Sequence, residues 1–189
     1  MVIYISATNR GGRRIKSDFY ITPPEVVSNF LGSHQLQQGN MLEPCAGNGS
    51  FIKAIRQAGY DNHITSIEIF EQQYNNLLQY DNNEVLITDF LEWEPNKKYK
   101  TIITNPPYSL AMEFLNKSFE IAEEGTEIIM LLRLAFLESK KRYNFWQKHP
   151  VNKLYALSSR PSFTGKGTDA TAYGFFVWDG SNKQEIKVI

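Results

Sequence analysis

This chain alternates between two hydrophobic patterns. Short runs of apolar residues are separated by stretches in which apolar residues recur at helical spacing. Each run is bounded by polar residues or glycine, which is typical of a buried β-strand. Seven such runs occur, at 40–42, 64–67, 84–88, 101–104, 126–132, 153–158 and 171–178. Apolar residues recur at helical spacing after residue 50, over 109–122 and over 138–148, which predicts helices there. Ser109 is the expected cap of the second helix.

Alternating strands and helices predict an α/β fold, with a mostly parallel seven-stranded sheet and helices on both faces. The link between the sixth and seventh strands has no helical pattern, which predicts that the last strand is antiparallel. No linker rich in glycine, serine or proline divides the chain. Residues 18–189 are therefore expected to form one domain, after a basic and flexible segment at residues 1–17.

The stretch Asn105-Pro106-Pro107-Tyr108 directly follows the fourth predicted strand. Proline disfavours the α region for the residue before it and cannot donate a backbone hydrogen bond. The stretch therefore offers acceptors, namely the side-chain oxygen of Asn105 and main-chain carbonyls, while Tyr108 offers a flat aromatic face. Two acceptors beside an aromatic face suit an exocyclic amino group and the ring that carries it.

Polar residues also follow the first three predicted strands. A turn from Glu43 to Phe51 leads into a helix, and its glycines let the backbone approach a ligand closely. Glu68 ends the second strand, where nucleotide-binding βαβ units place an acid for ribose hydroxyls. Asp89 and Phe90 follow the third strand. Because ligands of open α/β sheets bind at the carboxyl ends of the strands, these residues and Asn105 are expected to share one nucleotide-like cofactor.

These stretches together resemble the S-adenosylmethionine-dependent amino methyltransferases, and in particular the DNA adenine methyltransferases. The matching residues are, in order, Thr22-Pro23-Pro24, Glu43 to Phe51, Glu68, Asp89-Phe90 and Asn105 to Tyr108. The resemblance extends over residues 18 to 178. It implies a Rossmann-like methyltransferase fold. It also implies an enzyme that transfers a methyl group to the amino nitrogen of adenine, with S-adenosyl-L-methionine as cofactor and S-adenosyl-L-homocysteine as product.

The resemblance also implies roles for individual residues. The implied cofactor contacts are Tyr20, Thr22, Glu43, Pro44, Cys45, Ala46, Gly47, Gly49, Phe51, Glu68, Ile69, Asp89, Phe90 and Asn105. The implied catalytic residues are Asn105, Pro106, Pro107 and Tyr108, which would hold the amino group and stack on a flipped base. Phe163 lies in a segment similar to one that supplies a second aromatic residue in such enzymes.

The same residues are also compatible with structural roles or with different acceptors. Thr22 and Glu25 have the spacing of a capping box, with a proline at the first helical position. Phe90 and Phe163 could belong to the hydrophobic core. RNA adenine, cytosine amino groups and the side-chain amide of a protein glutamine present the same planar NH2 group, and a non-catalytic module could keep the fold.

Charge is distributed unevenly, although the net charge is zero. Residues 1–42 carry four basic and two acidic side chains, residues 43–127 six and fourteen, and residues 128–189 ten and four, which gives +2, −8 and +6. Basic ends of this kind predict contacts with nucleic-acid phosphates, with DNA as the expected partner, although they are also typical of solvated surface. The implied substrate-binding residues are Tyr108, Phe163, Arg160, Lys166, Lys140 and Lys141.

Several protein classes are excluded by the sequence pattern. No long apolar run and no signal-peptide pattern occurs, so a cytoplasmic protein is expected, and a monomer is compatible with the sequence. The single cysteine, Cys45, permits no internal disulfide, and His34, His63 and His149 lack metal-ligand spacing, so no metal is expected. Little chain follows Trp178, which favours a short target sequence or none.

Overall fold

One sheet of eight strands organises the part of the chain that the computed structural model describes, residues 21–163 and 167–189. The strands are β1 (Met41–Glu43), β2 (Ile64–Glu68), β3 (Asn83–Ile87), β4 (Thr101–Thr104), β5 (Glu127–Arg133), β6 (Lys153–Ala156), β7 (Tyr173–Trp178) and β8 (Glu185–Val188). Their order across the sheet is β3-β2-β1-β4-β5-β7-β6-β8. The first five strands run parallel, and β7 lies antiparallel between β5 and β6. The predicted α/β class and the antiparallel seventh strand are confirmed.

Five α-helices connect or flank these strands in the described residues. They are α1 (Pro24–Leu31), α2 (Ser50–Gln57), α3 (Tyr74–Leu78), α4 (Ala111–Ile121) and α5 (Tyr143–Lys148). Short 3₁₀ turns lie at Glu71–Gln73, Tyr108–Leu110, Leu134–Leu137 and Lys140–Arg142. The turn at Tyr108–Leu110 comes shortly after β4, so the polar stretch at the end of β4 leads into α4 with a tight bend.

The hydrophobic core has two layers, one on each face of the sheet. Successive residues of a strand point to opposite faces, and Ile102 and Ile103 of β4 accordingly belong to different layers. Helices α1 and α2 cover the layer of Ile103, where Phe30 stacks on Phe175 with ring centroids 4.1 Å apart. Helix α4 covers the other layer through Phe114. Helices therefore lie on both faces, as predicted.

Strand β8 extends the sheet beyond the seven predicted strands. It pairs parallel with β6, and all four of its residues are exposed. Charged and apolar residues alternate along Glu185-Ile186-Lys187-Val188, which is the pattern of a strand. The prediction of seven strands was therefore one short, although the sequence contains the signal.

Helix α1 begins without the predicted capping box. Pro23 occupies the N-cap position, no side chain caps the helix, and Pro24 takes the first helical position as expected. The Thr22 hydroxyl instead accepts a hydrogen bond from Asn105 Nδ2 at 2.9 Å. Thr22 therefore ties the segment before α1 to the residue that follows β4.

Two other helices begin later than predicted. Residues 108–110 form a 3₁₀ turn, so α4 begins at Ala111 with Leu110 at the N-cap, and Ser109 is not its cap. The helix predicted over 138–148 is shortened to α5 and a 3₁₀ turn, because Ser139 has a φ of 141°, outside the helical region.

A buried polar network lies at the amino ends of β4 and β5. The Glu127 carboxylate accepts hydrogen bonds from the Thr101 hydroxyl at 2.8 Å and from the Gln37 N–H at 3.0 Å. Its second oxygen lies 3.0 Å from His34 Nε2, and His34 Nδ1 lies 3.1 Å from the Tyr155 hydroxyl. Paired polar groups stabilise a buried position, so His34 has a structural role at the edge opposite to the polar strand ends.

Candidate functional site

A cavity of about 150 Å³ opens at the carboxyl ends of β1, β2, β3 and β4. Its wall includes residues from all four strand ends, as parallel topology predicts. The predicted site residues that line it are Thr22, Glu43, Pro44, Cys45, Ala46, Gly47, Phe51, Glu68, Ile69, Asp89, Phe90, Asn105, Pro106 and Pro107. Asp89 and Asn105 therefore face one space, which is the arrangement that a shared donor and acceptor site needs.

Some predicted residues do not line this cavity. Gly49 and Tyr108 are absent from its wall, and Phe163, Arg160, Lys140 and Lys141 lie elsewhere. Tyr20 and Lys166 lie outside the described residues, as do the basic side chains of residues 1–17.

Seven further residues line the cavity that were not among the predicted site residues. They are Asn48, Ser50, Phe70, Thr88, Ser109, Leu110 and Phe114. Apolar Leu110 and Phe114 gave no chemical signal in the sequence, because each also fits the apolar stripe of a helix.

Gly47 and Glu68 are joined across the turn after β1. Gly47 has a φ of 55°, and its N–H donates to Glu68 Oε2 at 2.7 Å. The Phe70 N–H donates to Glu68 Oε1 at 2.9 Å. Burial raises the pKa of Glu68, and these backbone hydrogen bonds oppose that rise. A carboxylate has about four lone-pair sites, so Glu68 is held in place with acceptor capacity left for a ligand.

Gly49 is required by packing. It has a φ of 82°, and a Cβ atom built on it would lie 2.5 Å from Tyr80 Cε2 and 3.3 Å from Leu77 Cδ2. The first of these distances is too short for packed carbon atoms, so a side chain here would displace Tyr80. Gly49 therefore shapes the turn from behind, while Gly47 faces the cavity.

Glu43 places a carboxyl group in the cavity wall without any hydrogen-bond partner in the described part of the chain. The residue is only 1% exposed. Burial, and secondly the charge of Glu68, raise the pKa of Glu43 well above its ordinary value. A buried polar group normally has a partner, so this carboxyl is poised for a ligand that brings a cation or a hydrogen-bond donor.

Asp89 and Phe90 form the wall after β3. Asp89 Oδ1 accepts a hydrogen bond from the Leu91 N–H at 2.9 Å, which fixes the carboxylate at the start of a turn. Phe90 is 2% exposed and packs against Phe114 with ring centroids 5.1 Å apart. Phe90 therefore belongs to the core and also lines the cavity, so its two predicted roles are compatible.

Asn105 lies where the cavity meets the end of β4. With its amide in the orientation that donates to Thr22, the Oδ1 atom is buried and has no hydrogen-bond partner in the described residues. Pro106 is buried beside it, and Pro107 is extended with φ −58° and ψ 123°. The predicted acceptor pair, an amide oxygen and a proline carbonyl, thus lies in the extended segment that the two prolines impose.

Tyr108 packs in an aromatic group beside the cavity. Its ring centroid lies 6.4 Å from that of Phe163 and 5.6 Å from that of Tyr173, and the Arg133 guanidinium carbon lies 4.7 Å from its centroid. Phe163 is 3% exposed. The structure therefore brings Tyr108 and Phe163 together, as the resemblance implies, but it packs them against each other.

Arg133, Tyr173 and Asp169 support this aromatic group and were not predicted. The Tyr173 hydroxyl donates to Asp169 Oδ2 at 2.9 Å and accepts a hydrogen bond from Arg133 Nε at 3.4 Å. Burial is the main cause that raises the pKa of Tyr173 to about 12. The three residues come from β5, β7 and the segment before β7, so no local spacing could have joined them.

Membrane-spanning helices and metal-binding clusters are both absent from residues 21–163 and 167–189. No helix there is long and apolar enough to cross a membrane. No group of three or more His, Cys, Asp or Glu side chains is arranged to hold a metal ion in the same part of the chain.

Curated proteins similar to this chain are Type II methyltransferases. M.CvrRI of Paramecium bursaria Chlorella virus XZ-6E is 35% identical over 144 residues, which are 64% of this chain and 37% of that protein. M.TthHB8I of Thermus thermophilus is 33% identical over 94 residues, 49% of this chain and 21% of that protein. The chain thus covers well under half the length of these relatives. No family model matches it.

Solved structures with the same fold are S-adenosylmethionine-dependent methyltransferases and related enzymes. A putative class I S-adenosylmethionine-dependent methyltransferase from Listeria monocytogenes has a TM-score of 0.68 at 12% identity, over 94% of this chain and 68% of that one. A putative RNA methyltransferase from Pyrococcus horikoshii has a TM-score of 0.67 at 16% identity, over 96% and 95%. The chain therefore has the Rossmann-like methyltransferase fold, as predicted.

Proposed function

We propose that this protein is an S-adenosylmethionine-dependent DNA methyltransferase that acts on the exocyclic amino nitrogen of adenine. One observation carries the proposal: the acids that end β1 and β2, the acid that follows β3 and the Asn105 amide that follows β4 line a single cavity. A cofactor along the first three strand ends would have its reactive end beside Asn105. The similarity to Type II methyltransferases supports methyl transfer and favours DNA over other acceptors.

The residues of the cavity fit the cofactor. S-adenosylmethionine brings a cationic amino group, a sulfonium, ribose hydroxyls and an adenine. Glu43 offers a buried carboxyl without a partner to a cation, and Glu68 offers its remaining lone pairs to ribose hydroxyls. Asp89 and Phe90 offer an acceptor and an apolar surface to the adenine. The cationic amino group, the ribose hydroxyls and the adenine would therefore each meet a chemically matched residue in the wall.

The cofactor, when bound, supplies an electrophilic methyl group on a positively charged sulfur. Asn105 Oδ1 and the Pro106 carbonyl would accept hydrogen bonds from the two N–H groups of the substrate amine and draw its lone pair out of conjugation with the ring. With its lone pair directed at that methyl group, the nitrogen would form the N–C bond as the C–S bond breaks with its electron pair kept by sulfur, and one amino proton would leave to solvent. Holding both reactants in line can lower the activation free energy by on the order of 7 to 11 kcal/mol.

Tyr108 would stack on the acceptor base, with Phe163 as the second aromatic surface. A base inside a duplex cannot reach this site, so the substrate must be single-stranded or the base must be flipped out of the stack. Because Tyr108 and Phe163 pack against each other, a base that enters between them must separate their rings. This stacking role is part of the proposal.

Removal of the Asn105 amide tests the proposal. We expect Asn105→Ala to lower methyl transfer to DNA on the order of 100-fold, because it deletes an acceptor that acts on the reacting nitrogen. Thr22→Val, at a residue that also lines the cavity, removes the hydrogen bond between Thr22 and Asn105 but keeps the amide oxygen, so we expect it to lower methyl transfer less than Asn105→Ala does. Transfer of labelled methyl is the measurement, and wild-type activity in Asn105→Ala would refute the assignment.

Identification of the product separates the possible acceptors. RNA adenine, cytosine amino groups and a protein glutamine amide would use the same acceptor chemistry. We expect mass spectrometry after incubation with DNA, RNA and protein to find N6-methyladenine in DNA. If another acceptor alone is methylated, the proposed methyl-transfer chemistry stands and the proposed substrate is wrong. Mapping the methylated positions on DNA of mixed sequence tests the expected short target sequence.

A further inference from the structure

A concave surface lies just beyond the carboxyl end of β5 and is separate from the cavity described above. Leu137, Ser139, Lys140, Tyr143 and Trp146 line it, and it encloses about 430 Å³. We call it the Tyr143 surface. It shares no lining residue with the cavity at the ends of β1 to β4.

Large apolar side chains are exposed together on the Tyr143 surface. Tyr143 is 61% exposed and Leu137 is 43% exposed. Trp146 forms the floor, stacked on Trp178 with ring centroids 6.2 Å apart, and its Nε1 atom is buried without a hydrogen-bond partner in the described residues. Clustered exposed apolar groups mark interaction sites, and an exposed aromatic ring offers the flat face on which unpaired bases stack.

Positive charge borders the same surface. Lys140 lines the surface, and Lys141 and Lys148 lie within two residues of its lining in the sequence. All three are exposed, and none of them forms an ion pair within the described part of the chain. Glu138 is the one acidic side chain between residues 134 and 148. An aromatic face beside unpaired lysines complements a nucleic-acid strand, which presents base faces together with phosphates.

Arg142 holds the surface in shape rather than adding to its free charge. Its guanidinium lies over the Phe136 ring at 4.4 Å and donates to the carbonyls of Phe136 at 2.7 Å, Ala135 at 3.3 Å and Glu138. These contacts fix the loop around Ser139, a non-glycine residue with a φ of 141°. Unfavourable backbone conformations that are held by several contacts concentrate at binding sites.

The Tyr143 surface comes shortly after the candidate active site in the chain and lies beside a neighbouring strand end. β5 is the neighbour of β4 in the sheet, and its last residue, Arg133, lies over the ring of Tyr108. The surface begins four residues later, at Leu137. The end of β5 is thus one of the two strand ends that neighbour the end of β4, the other being that of β1.

We propose that the Tyr143 surface binds the nucleic-acid strand adjoining the target nucleotide. An unpaired base stacks on Tyr143, and phosphates lie at Lys140 and Lys141. This inference rests on the proposed function and deepens it, because it names where the substrate strand lies outside the cavity.

Binding of a fluorescent single-stranded DNA oligonucleotide of mixed sequence, and of its duplex, tests the inference. We expect Tyr143→Ala to weaken single-strand binding about tenfold, and Tyr143→Phe to bind like wild type because the ring is kept. The double variant Lys140→Ala/Lys141→Ala should lower the slope of log affinity against log salt by about 0.7 for each phosphate that it no longer neutralises. Lys98→Ala is the control, because Lys98 precedes the amino end of β4, whereas the Tyr143 surface follows the carboxyl end of β5.

Wild-type affinity and an unchanged salt slope in the Tyr143 and lysine variants would overturn the inference. Its failure is distinguishable from failure of the proposed function. If wild type methylates DNA but the variants bind normally, only the inference falls. If wild type methylates no nucleic acid, the proposed function falls, and the binding measurements still decide whether the Tyr143 surface holds a nucleic-acid strand. Circular dichroism and thermal unfolding of each variant confirm that these exposed substitutions leave the fold intact.

Discussion

Glu43 couples the stability of the protein to pH. Its pKa is raised well above 4.5, first by burial and then by Glu68, so the folded state binds the proton more tightly than the unfolded chain. The stabilisation is complete below the unfolded-state pKa and is lost as pH rises through the folded-state pKa. We expect Glu43→Gln, which cannot ionise, to match wild type near pH 4 and to be more stable at pH 8. Urea unfolding at a series of pH values measures this, and a pH-independent difference would contradict it.

Tyr173 satisfies a buried carboxylate beside the aromatic group. Asp169 Oδ2 accepts from the Tyr173 hydroxyl, whereas Oδ1 has no partner in the described residues. Tyr173→Phe would leave neither oxygen with a hydrogen bond there, at a cost of about 1 to 3 kcal/mol in the free energy of unfolding. We expect Tyr173→Phe/Asp169→Asn to recover part of that loss, since it removes the buried charge. Denaturant unfolding of the two variants measures both changes in the free energy of unfolding. A Tyr173→Phe variant as stable as wild type would contradict the prediction.

At the level of elements, the turn between β1 and α2 depends on close packing with α3 and the residues after it. Gly49 and Gly59 both have positive φ, at 82° and 86°, but a Cβ atom at Gly59 would meet nothing within 4 Å. Both Gly→Ala variants therefore share the backbone penalty of about 1 kcal/mol, and only Gly49→Ala adds a clash with Tyr80. We expect Gly49→Ala to be the less stable of the two, as measured by thermal unfolding. Equal losses would mean that Tyr80 moves away freely.

The elements of this fold were predictable where burial imposes a clear period. Strand β5 is apolar through most of its length because both of its faces are covered, and this apolar run marks it in the sequence. Helix starts were less predictable, because tertiary contacts decide them. Thr22, for example, has the residue type and spacing of a cap, yet its hydroxyl accepts from Asn105, which lies far along the chain.

For the whole molecule, the cavity could be predicted, but the residues that support the aromatic group beside it could not. Parallel strands deliver their carboxyl ends to one edge, so residues that follow four such strands must meet there. Arg133 and Tyr173 meet by another route, because β7 runs antiparallel beside β5 and puts its first residue opposite the last residue of β5. A partner across a sheet leaves no periodic trace in the sequence.

Ligand binding should stabilise the whole fold, because the cavity wall is drawn from four strand ends. A ligand that binds only the folded state adds about 2.7 kcal/mol to the free energy of unfolding at one hundred times its Kd. We expect S-adenosylmethionine to raise the Tm of wild type, and to raise that of Glu43→Gln less. Calorimetry of both proteins across a range of cofactor concentrations checks this, and an unaffected wild-type Tm would contradict it.

The reversed direction of β7 has an evolutionary consequence. Its first residue, Tyr173, lies at the same edge of the sheet as Asn105, so the connection from β6, residues 157–172, begins and ends near Asn105 and away from the acids at the ends of β1 to β3. Under the proposed function, a longer or exchanged connection would change which molecule is methylated and leave the residues proposed to hold the cofactor unchanged. The single antiparallel turn of direction at β7 would then let acceptor preference vary independently of cofactor binding.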